Sequence, residues 1–428
     1  MRFSLILIFV SVKKYLFIIA MMLSNIGMQG QDNPAALVKL QSQVRENLVD
    51  NILPFWSSKM IDMKNGGFYG RIDGNDKLYP GAARGGILNA RILWTFSAAY
   101  RVLKDSSYLK VATHAFDYIM DKFLDKKYGG AFLSVTAAGK PEDTRKQAYT
   151  QAFFIYALSE YYLASDDSKA LDEAKKIFQC VEKYCSDPVN NGYFEVYSHD
   201  WKKTDDLLIG EKDKNDQKTM NTHLHLLEAY TNLYRAWPDK IVAGRLKNLI
   251  ELFTQKIVDP KTGHLVVFMN EKWESTSTLN SYGHDIEASW LVNESAEVLG
   301  DKKLKADVNR LVIPIVKAAE EGLQPDGSLI YEKNLVTGHI NTNRDWWPQA
   351  EAVTAFVNAY KMTGDKAYLT KALRCWEYID KNMVDHLNGE WFNSISANGE
   401  VNRYGDKAGF WKCPYHNSRM CLEMIEMH

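Results

Sequence analysis

Hydrophobic and polar positions along the chain fall into two alternating helical styles. In Leu88–Phe96 and again in Ala352–Val357 apolar residues occupy nearly every side. That pattern predicts helices buried all round. In Ala170–Tyr184 a Lys/Glu face stands opposite an apolar one. That pattern predicts helices with one side in water. A short glycine-then-aromatic or glycine-then-apolar segment recurs at a period near 63 residues. Its six copies are Gly66–Tyr69, Gly129–Phe132, Asn191–Phe194, Gly263–Val266, Asp326–Leu329 and Asn388–Trp391. Each reads as a turn followed by a short strand.

A buried-type helix follows each copy, with starts expected near residues 84, 144, 219, 281, 345 and 408. Polar breaks at Asp105–Ser107, Ser165–Ser168, Trp237–Asp239, Gly300–Lys302 and Gly364–Lys366 then introduce a second helix. An opening helix over about Pro34–Asn51 completes twelve. Six inner and six outer helices predict an all-α protein, a closed (α/α)6 barrel (toroid) with short β-hairpin loops at one rim. An open solenoid of helix pairs is the alternative. It calls for polar capping repeats, which this sequence does not show. The inner helices would start at the hairpin rim, so a ligand cleft is expected there.

Composition narrows the classes. The 428 residues are 46% hydrophobic and 25% charged, with a net charge of −1. This excludes a disordered chain, a collagen-like fibre and a multi-span membrane protein. The lack of a basic excess argues against a nucleic-acid partner. The 11 Trp and 23 Tyr exceed what a core requires and suit a wet, polar ligand. The first thirty residues hold Arg2, Lys13 and Lys14, no acid, and an apolar run Tyr15–Leu23. They read as a signal peptide over 1–30, too short to span a bilayer. The extra apolar run Leu5–Val10 suggests a true start at Val12. Residues 31–428 then form one catalytic domain, periplasmic or secreted. They carry 49 bases against 53 acids, a net −4. The five cysteines show neither CxxC nor zinc spacing and are expected to be free packing residues.

Residues able to do chemistry cluster at the inner-helix starts. His223 and His225 lie in Asn221–His225, His284 in Gly283–Glu287 and His416 in Trp411–Asn417. Trp346 and Trp347 precede Pro348–Glu351. Arg91 interrupts an apolar helix and must face a partner or a polar cavity. Tyr149 and Gln151 hold the equivalent place in the second inner helix. His284 and Glu287 share a helical face, which reads either as a metal half-site or as a carboxylate orienting an imidazole. His223 and His225 do not share one, so no metal is expected. Glu287 and Glu351 read alternatively as a glycosidase acid/base pair. Trp346, Trp347 and Trp411 suit stacking on a sugar. His114, His199, His264, His339, His386 and His428 are read as structural or solvated. Duplicate histidines suggest one group that removes a proton near neutral pH and one that returns it. A cationic Arg would hold the enediolate oxygens formed between the two steps.

The segments Leu88–Phe96, Asn221–Tyr230, Gly283–Glu287, Trp346–Ala352 and Trp411–Asn417 resemble the N-acylglucosamine 2-epimerase family of (α/α)6 barrels. The resemblance runs from about residue 35 to the C-terminus. N-acylglucosamine enzymes end their last motif in Phe-His-Val-Pro-Arg, whereas Trp411–Asn417 resembles the form found in the family's disaccharide epimerases. The resemblance implies that His284 and His416 are the acid/base pair at C2 of the reducing-end sugar. It gives His225 a part in ring opening, and Arg91, Tyr149 and Asn221 contacts to the hydroxyls and the enediolate. Glu287 would set the His284 tautomer. Trp347 would pack on the reacting glucose and Trp411 on the distal sugar. Trp346 and Glu351 join the substrate-binding set, as does Asp213, a loop acid near the cleft. The implied partner is a neutral disaccharide, cellobiose or mannobiose. The protein would act as a monomer without metal or cofactor. Many such epimerases are cytoplasmic, so the signal sets this chain apart. Competing readings are an N-acylglucosamine 2-epimerase or aldose–ketose isomerase on the same barrel, an inverting glycosidase, and a non-catalytic sugar-binding protein.

Overall fold

A computed structural model describes residues 33–204 and 216–427. The expected signal, the start at Val12, Asp213 and His428 lie outside these residues. Helix α1 runs Asn33–Glu46 and continues through a π-helical turn, Asn47–Ile52, into Leu53–Ser58. Five helix pairs follow: α2 (Gly86–Leu103) and α3 (Ser106–Tyr118), α4 (Ala148–Ser165) and α5 (Ser168–Cys180), α6 (Met220–Ala236) and α7 (Lys240–Leu252), α8 (Tyr282–Leu299) and α9 (Lys302–Glu320), α10 (Trp346–Thr363) and α11 (Lys366–Asn382). Helix α12 (Tyr415–Glu426) ends the chain.

The even-numbered helices are the inner set. Each packs on two inner neighbours, and α12 returns to α2, so the ring closes. Each outer helix backs its own inner helix, and α1 backs α12, which joins the two ends of the chain. This is the (α/α)6 toroid, and its closure excludes the open solenoid. Burial follows the two sequence styles. Every residue of α4 from Ala148 to Tyr161 is buried, whereas α5 buries only Ala170, Leu171, Ala174, Ile177 and Phe178.

The polar breaks prove to be helix caps. Asp105, Asp167, Asp239, Asp301 and Asp365 each accept a hydrogen bond from the backbone N–H two residues on. Such a cap satisfies one of the donors that a helix start leaves open. The six glycine segments are the return arms of tight hairpins, bridging Ile61 to Phe68, Leu124 to Ala131, Ser186 to Tyr193, Val258 to Leu265, Leu323 to Leu329 and Val384 to Trp391. Short antiparallel strands then link neighbouring repeats round one rim. Arg84–Gly85 pairs with Ser134–Val135, Lys146–Gln147 with Val196–Tyr197, Lys218–Thr219 with Phe268–Met269, and Arg344–Asp345 with Ser394–Ile395.

The last inner helix starts at Tyr415, not near 408. Asp406–Ala408 is instead a strand paired with Ile72–Asp73, from the far end of the sequence. The opening helix likewise runs past Asn51 to Ser58. All five cysteines are free. No described helix is long and apolar enough to cross a membrane.

Candidate active site

The inner helices place equivalent residues in layers, counted here from the first residue of each helix. In four of them the fourth residue ties the rim down. Gln151 Oε1 accepts from Ala131 N at 2.8 Å, Asp285 Oδ1 from Leu265 N at 2.8 Å, and Gln349 Oε1 from Leu329 N at 2.8 Å. His223 does the same work: its Nε2 accepts from Tyr193 N at 3.0 Å, while Nδ1 meets Thr219 O at 2.6 Å. His223 is therefore a clamp, aimed away from the cavity that His225 lines.

Some residues of the second, third and sixth layers line a cavity of about 910 Å3 at the hairpin rim. Its wall includes Arg91, Tyr149, Asn221, His225, His284, Glu287, Trp346, Trp347, Trp411 and His416, all expected from sequence. It also includes Tyr331, Glu195 and Asn393, which no sequence pattern marked. Trp411 is 39% exposed at the mouth, whereas Trp347 is 9% exposed. His284 is the third residue of α8 and His416 the second of α12, both in the first helical turn. Trp347 lies between them, its ring 4.7 Å from His284 and 5.6 Å from His416. Gly283 makes room for this indole, since a Cβ there would come within 2.6 Å of Trp347.

Two imidazoles are held by carboxylates. His416 Nδ1 lies 2.7 Å from Glu351 Oε1, and His225 Nδ1 lies 2.9 Å from Glu228 Oε2. This arrangement leaves each Nε2 as the other working nitrogen. His284 Nδ1 meets Ser281 Oγ at 2.7 Å. Glu287 does not take the expected part of orienting His284. Its Oε1 accepts from Arg419 at 2.8 Å and lies 3.7 Å from His416 Nδ1. Glu351 is also relocated. It is buried behind His416 rather than in the cavity wall, and it accepts from Trp290 Nε1 at 2.9 Å and Arg419 Nη2 at 2.6 Å.

The charges fit their surroundings. Burial, then the guanidiniums of Arg91 and Arg419, hold His416 well below the ordinary imidazole value. Burial also lowers His225, against the pull of Glu228. Both rest neutral, the form that accepts a proton. Burial and the neighbouring Glu351 push the Glu287 carboxyl up. Burial alone would lower Arg91, but Tyr149, Cys413 and Tyr415 outweigh it and keep the guanidinium charged. Burial raises Tyr149 to about 12, so it stays a phenol. Its oxygen accepts from Arg91 Nη2 at 2.9 Å, which leaves its own proton for a ligand.

Ligating atoms of Glu287, Glu351 and His416 lie within 4.8 Å of one another, a spacing open to a metal. The Arg419 guanidinium already engages both carboxylates there. The same closeness disfavours the glycosidase reading, because inverting carboxyl groups stand about 6.5–9.5 Å apart with water between them. Among the remaining described histidines, His264 bonds Asp285 at 2.7 Å and His114 meets Gly67 O at 3.0 Å, both structural contacts.

The sequence profile of the N-acylglucosamine 2-epimerase (GlcNAc 2-epimerase) family matches residues 67–418. The chain is 49% identical to a cellobiose 2-epimerase of Bacteroides fragilis, over 90% of this chain and 98% of that enzyme. It is 40% identical to one of Ruminococcus albus, over 90% and 98%. The solved cellobiose 2-epimerase of Bacillus thermoamylovorans superposes with a TM-score of 0.88 at 42% identity, covering 91% of this chain and 100% of that one.

Proposed function

The chain belongs to the N-acylglucosamine 2-epimerase family, and from that premise we propose that it epimerises C2 of the reducing-end sugar of a β-1,4-linked disaccharide. Cellobiose would become glucosyl-mannose, or mannobiose mannosyl-glucose. One observation carries the chemistry: His284 and His416 lie in the first turns of two inner helices and open on one cavity, on either side of Trp347. The relatives named as cellobiose 2-epimerases support the substrate class.

His225 assists ring opening, moving a proton between the C1 hydroxyl and the ring oxygen. In the open chain the C1 carbonyl acidifies the C2 proton. One histidine, neutral at that moment, takes this proton and becomes imidazolium. The electron pair passes to the carbonyl oxygen, giving a cis-enediolate. Arg91 and Tyr149 stabilise that oxygen, aided by the positive ends of the inner helices. The second histidine, protonated at the start, returns a proton to the opposite face of C2. The pair has exchanged protonation states, and the count of reducing ends is unchanged. Trp347 and Trp411 stack on the reacting and distal sugars.

Incubation with cellobiose, mannobiose and N-acetylglucosamine in heavy water tests this reading by NMR. Deuterium should enter C2 of the reducing sugar of a disaccharide. His284→Ala and His416→Ala should each lower kcat by about 1000-fold or more while the circular dichroism stays native. Substantial turnover in either variant sinks the two-histidine assignment. New reducing ends would instead favour a hydrolase. Export is part of the proposal, argued from Arg2, Lys13, Lys14 and the Tyr15–Leu23 run. The protein recovered from its native host should begin near Gln31, and an intact Met1 on it would refute export.

A further inference from the structure

Below the cavity wall one guanidinium reaches both histidine–carboxylate pairs. Arg419 Nη1 bonds Glu228 Oε1, and Nη2 bonds Glu351 Oε1 at 2.6 Å and Glu287 Oε1 at 2.8 Å. The other oxygen of Glu228 takes His225 Nδ1, and the same oxygen of Glu351 takes His416 Nδ1. The Arg419 side chain is 1% exposed and its plane lies over the rings of Tyr415 and Trp290. Tyr415 Oη and Trp290 Nε1 occupy further lone pairs of Glu228 and Glu351. Each carboxylate is thus fixed from several sides, and only the guanidinium is common to both.

We infer that Arg419 is a positioning residue: by locking Glu228 and Glu351 at once, it turns the Nε2 atoms of His225 and His416 together toward the sugar. The inference rests on the roles proposed for those two histidines. A planar fork with two terminal nitrogens can bridge two carboxylates on different helices. A single ammonium on a lysine stem holds one of them. Arg419 also supplies charge. It is one of the cations that keep both imidazoles neutral. His416 is further faced by Glu351 and Glu287 from α10 and α8, by Arg91 from α2, by His225 and Glu228 from α6, and by Tyr415 on its own helix. His225 is faced by Arg91, Glu228 and Tyr149. Losing the cation while the anions remain therefore makes protonation of either ring easier.

Nitrogen-15 NMR of the imidazoles, read beside steady-state kinetics, tests this. In the wild type both His225 and His416 should carry their neutral proton on Nδ1. In Arg419→Gln, kcat should fall by about 100-fold with KM changed less than about threefold, and the acid limb of kcat should move up by about one pH unit. Arg419→Lys should keep the acid limb near its wild-type position, yet still lose kcat and show mixed tautomers. A structural role alone would not move the acid limb in one variant and spare it in the other. Wild-type imidazoles protonated on Nε2 overturn the inference, whether or not a variant folds. So does an Arg419→Gln enzyme with unchanged tautomers and kcat within threefold. If the wild type exchanges no C2 proton, the epimerase reading falls, and the tautomers still decide the part played by Arg419.

Discussion

Glu351 serves three donors with two oxygens: His416 and Arg419 on Oε1, Trp290 on Oε2. A glutamine at this place offers only one accepting end, so one of the three donors would meet an N–H group. Glu351→Gln is expected to fold, because its volume is unchanged, and to lower kcat by about 10- to 100-fold, the usual effect of a lost orienting partner. An activity within twofold of wild type would show that His416 needs no such partner. Residues of this kind were only half legible in the sequence. The rule that marks Arg91, a charge inside an apolar helix, marks Arg419 equally among Ser418, Met420, Cys421 and Leu422. Its partners were hidden, because Glu228, Glu287 and Glu351 lie 191, 132 and 68 residues away on three other helices. Spacing along one helix paired His284 with Glu287. The barrel instead turns Glu287 inward to Arg419, and Ser281 meets the ring.

At the level of elements, the repeat was legible because its punctuation is local. A capping aspartate or a glycine turn depends on a few neighbouring residues, so helix breaks and hairpins stand in the right places. The start of α12 was not legible, because Asp406–Ala408 is a strand only by virtue of Ile72–Asp73. The fourth-layer clamp shows the same mixture. Gln151 and Gln349 announce it, while His223 looks like a catalyst until its contacts are known. These equivalents define a substitution. His223→Gln should keep the bond to Tyr193 N and leave kcat within about threefold of wild type. It should also change acid stability. Burial lowers His223 to about 4, below its unfolded value near 6.5. The unfolded chain therefore binds a proton that the folded chain refuses, and stability is lost as pH falls from about 6.5 toward 4. His223 contributes a loss on the order of 3 kcal/mol over that window. Denaturant unfolding at pH 7 and pH 4.5 should show the variant losing less stability than the wild type. Equal losses would mean that the buried ring is not kept neutral.

For the whole molecule, closure makes stability indivisible. In an open array of helix pairs, losing the last repeat removes one interface and leaves the others standing. Here α12 is the inner helix that touches both α10 and α2, and it also packs against α1. Removing it would bare two inner-helix flanks and leave the first helix only its contacts with α11 and the Asp385–Trp391 hairpin. It buries Tyr415, Met420, Cys421, Leu422 and Met424 at 2% exposure or less. At about 2 kcal/mol for each of the four large side chains among them, this comes to about 8 kcal/mol, comparable to a typical domain's whole stability. It also holds Arg419, so its loss would leave Glu228, Glu287 and Glu351 buried without their shared cation, a further cost of several kcal/mol. A chain ending at Gly409 is therefore expected to lack any cooperative thermal transition and to show no slowly exchanging amides in α2–α11. Retention of five-sixths of the native ellipticity with a sharp melt would mean that the repeats stand independently, and that ring closure contributes little to the fold.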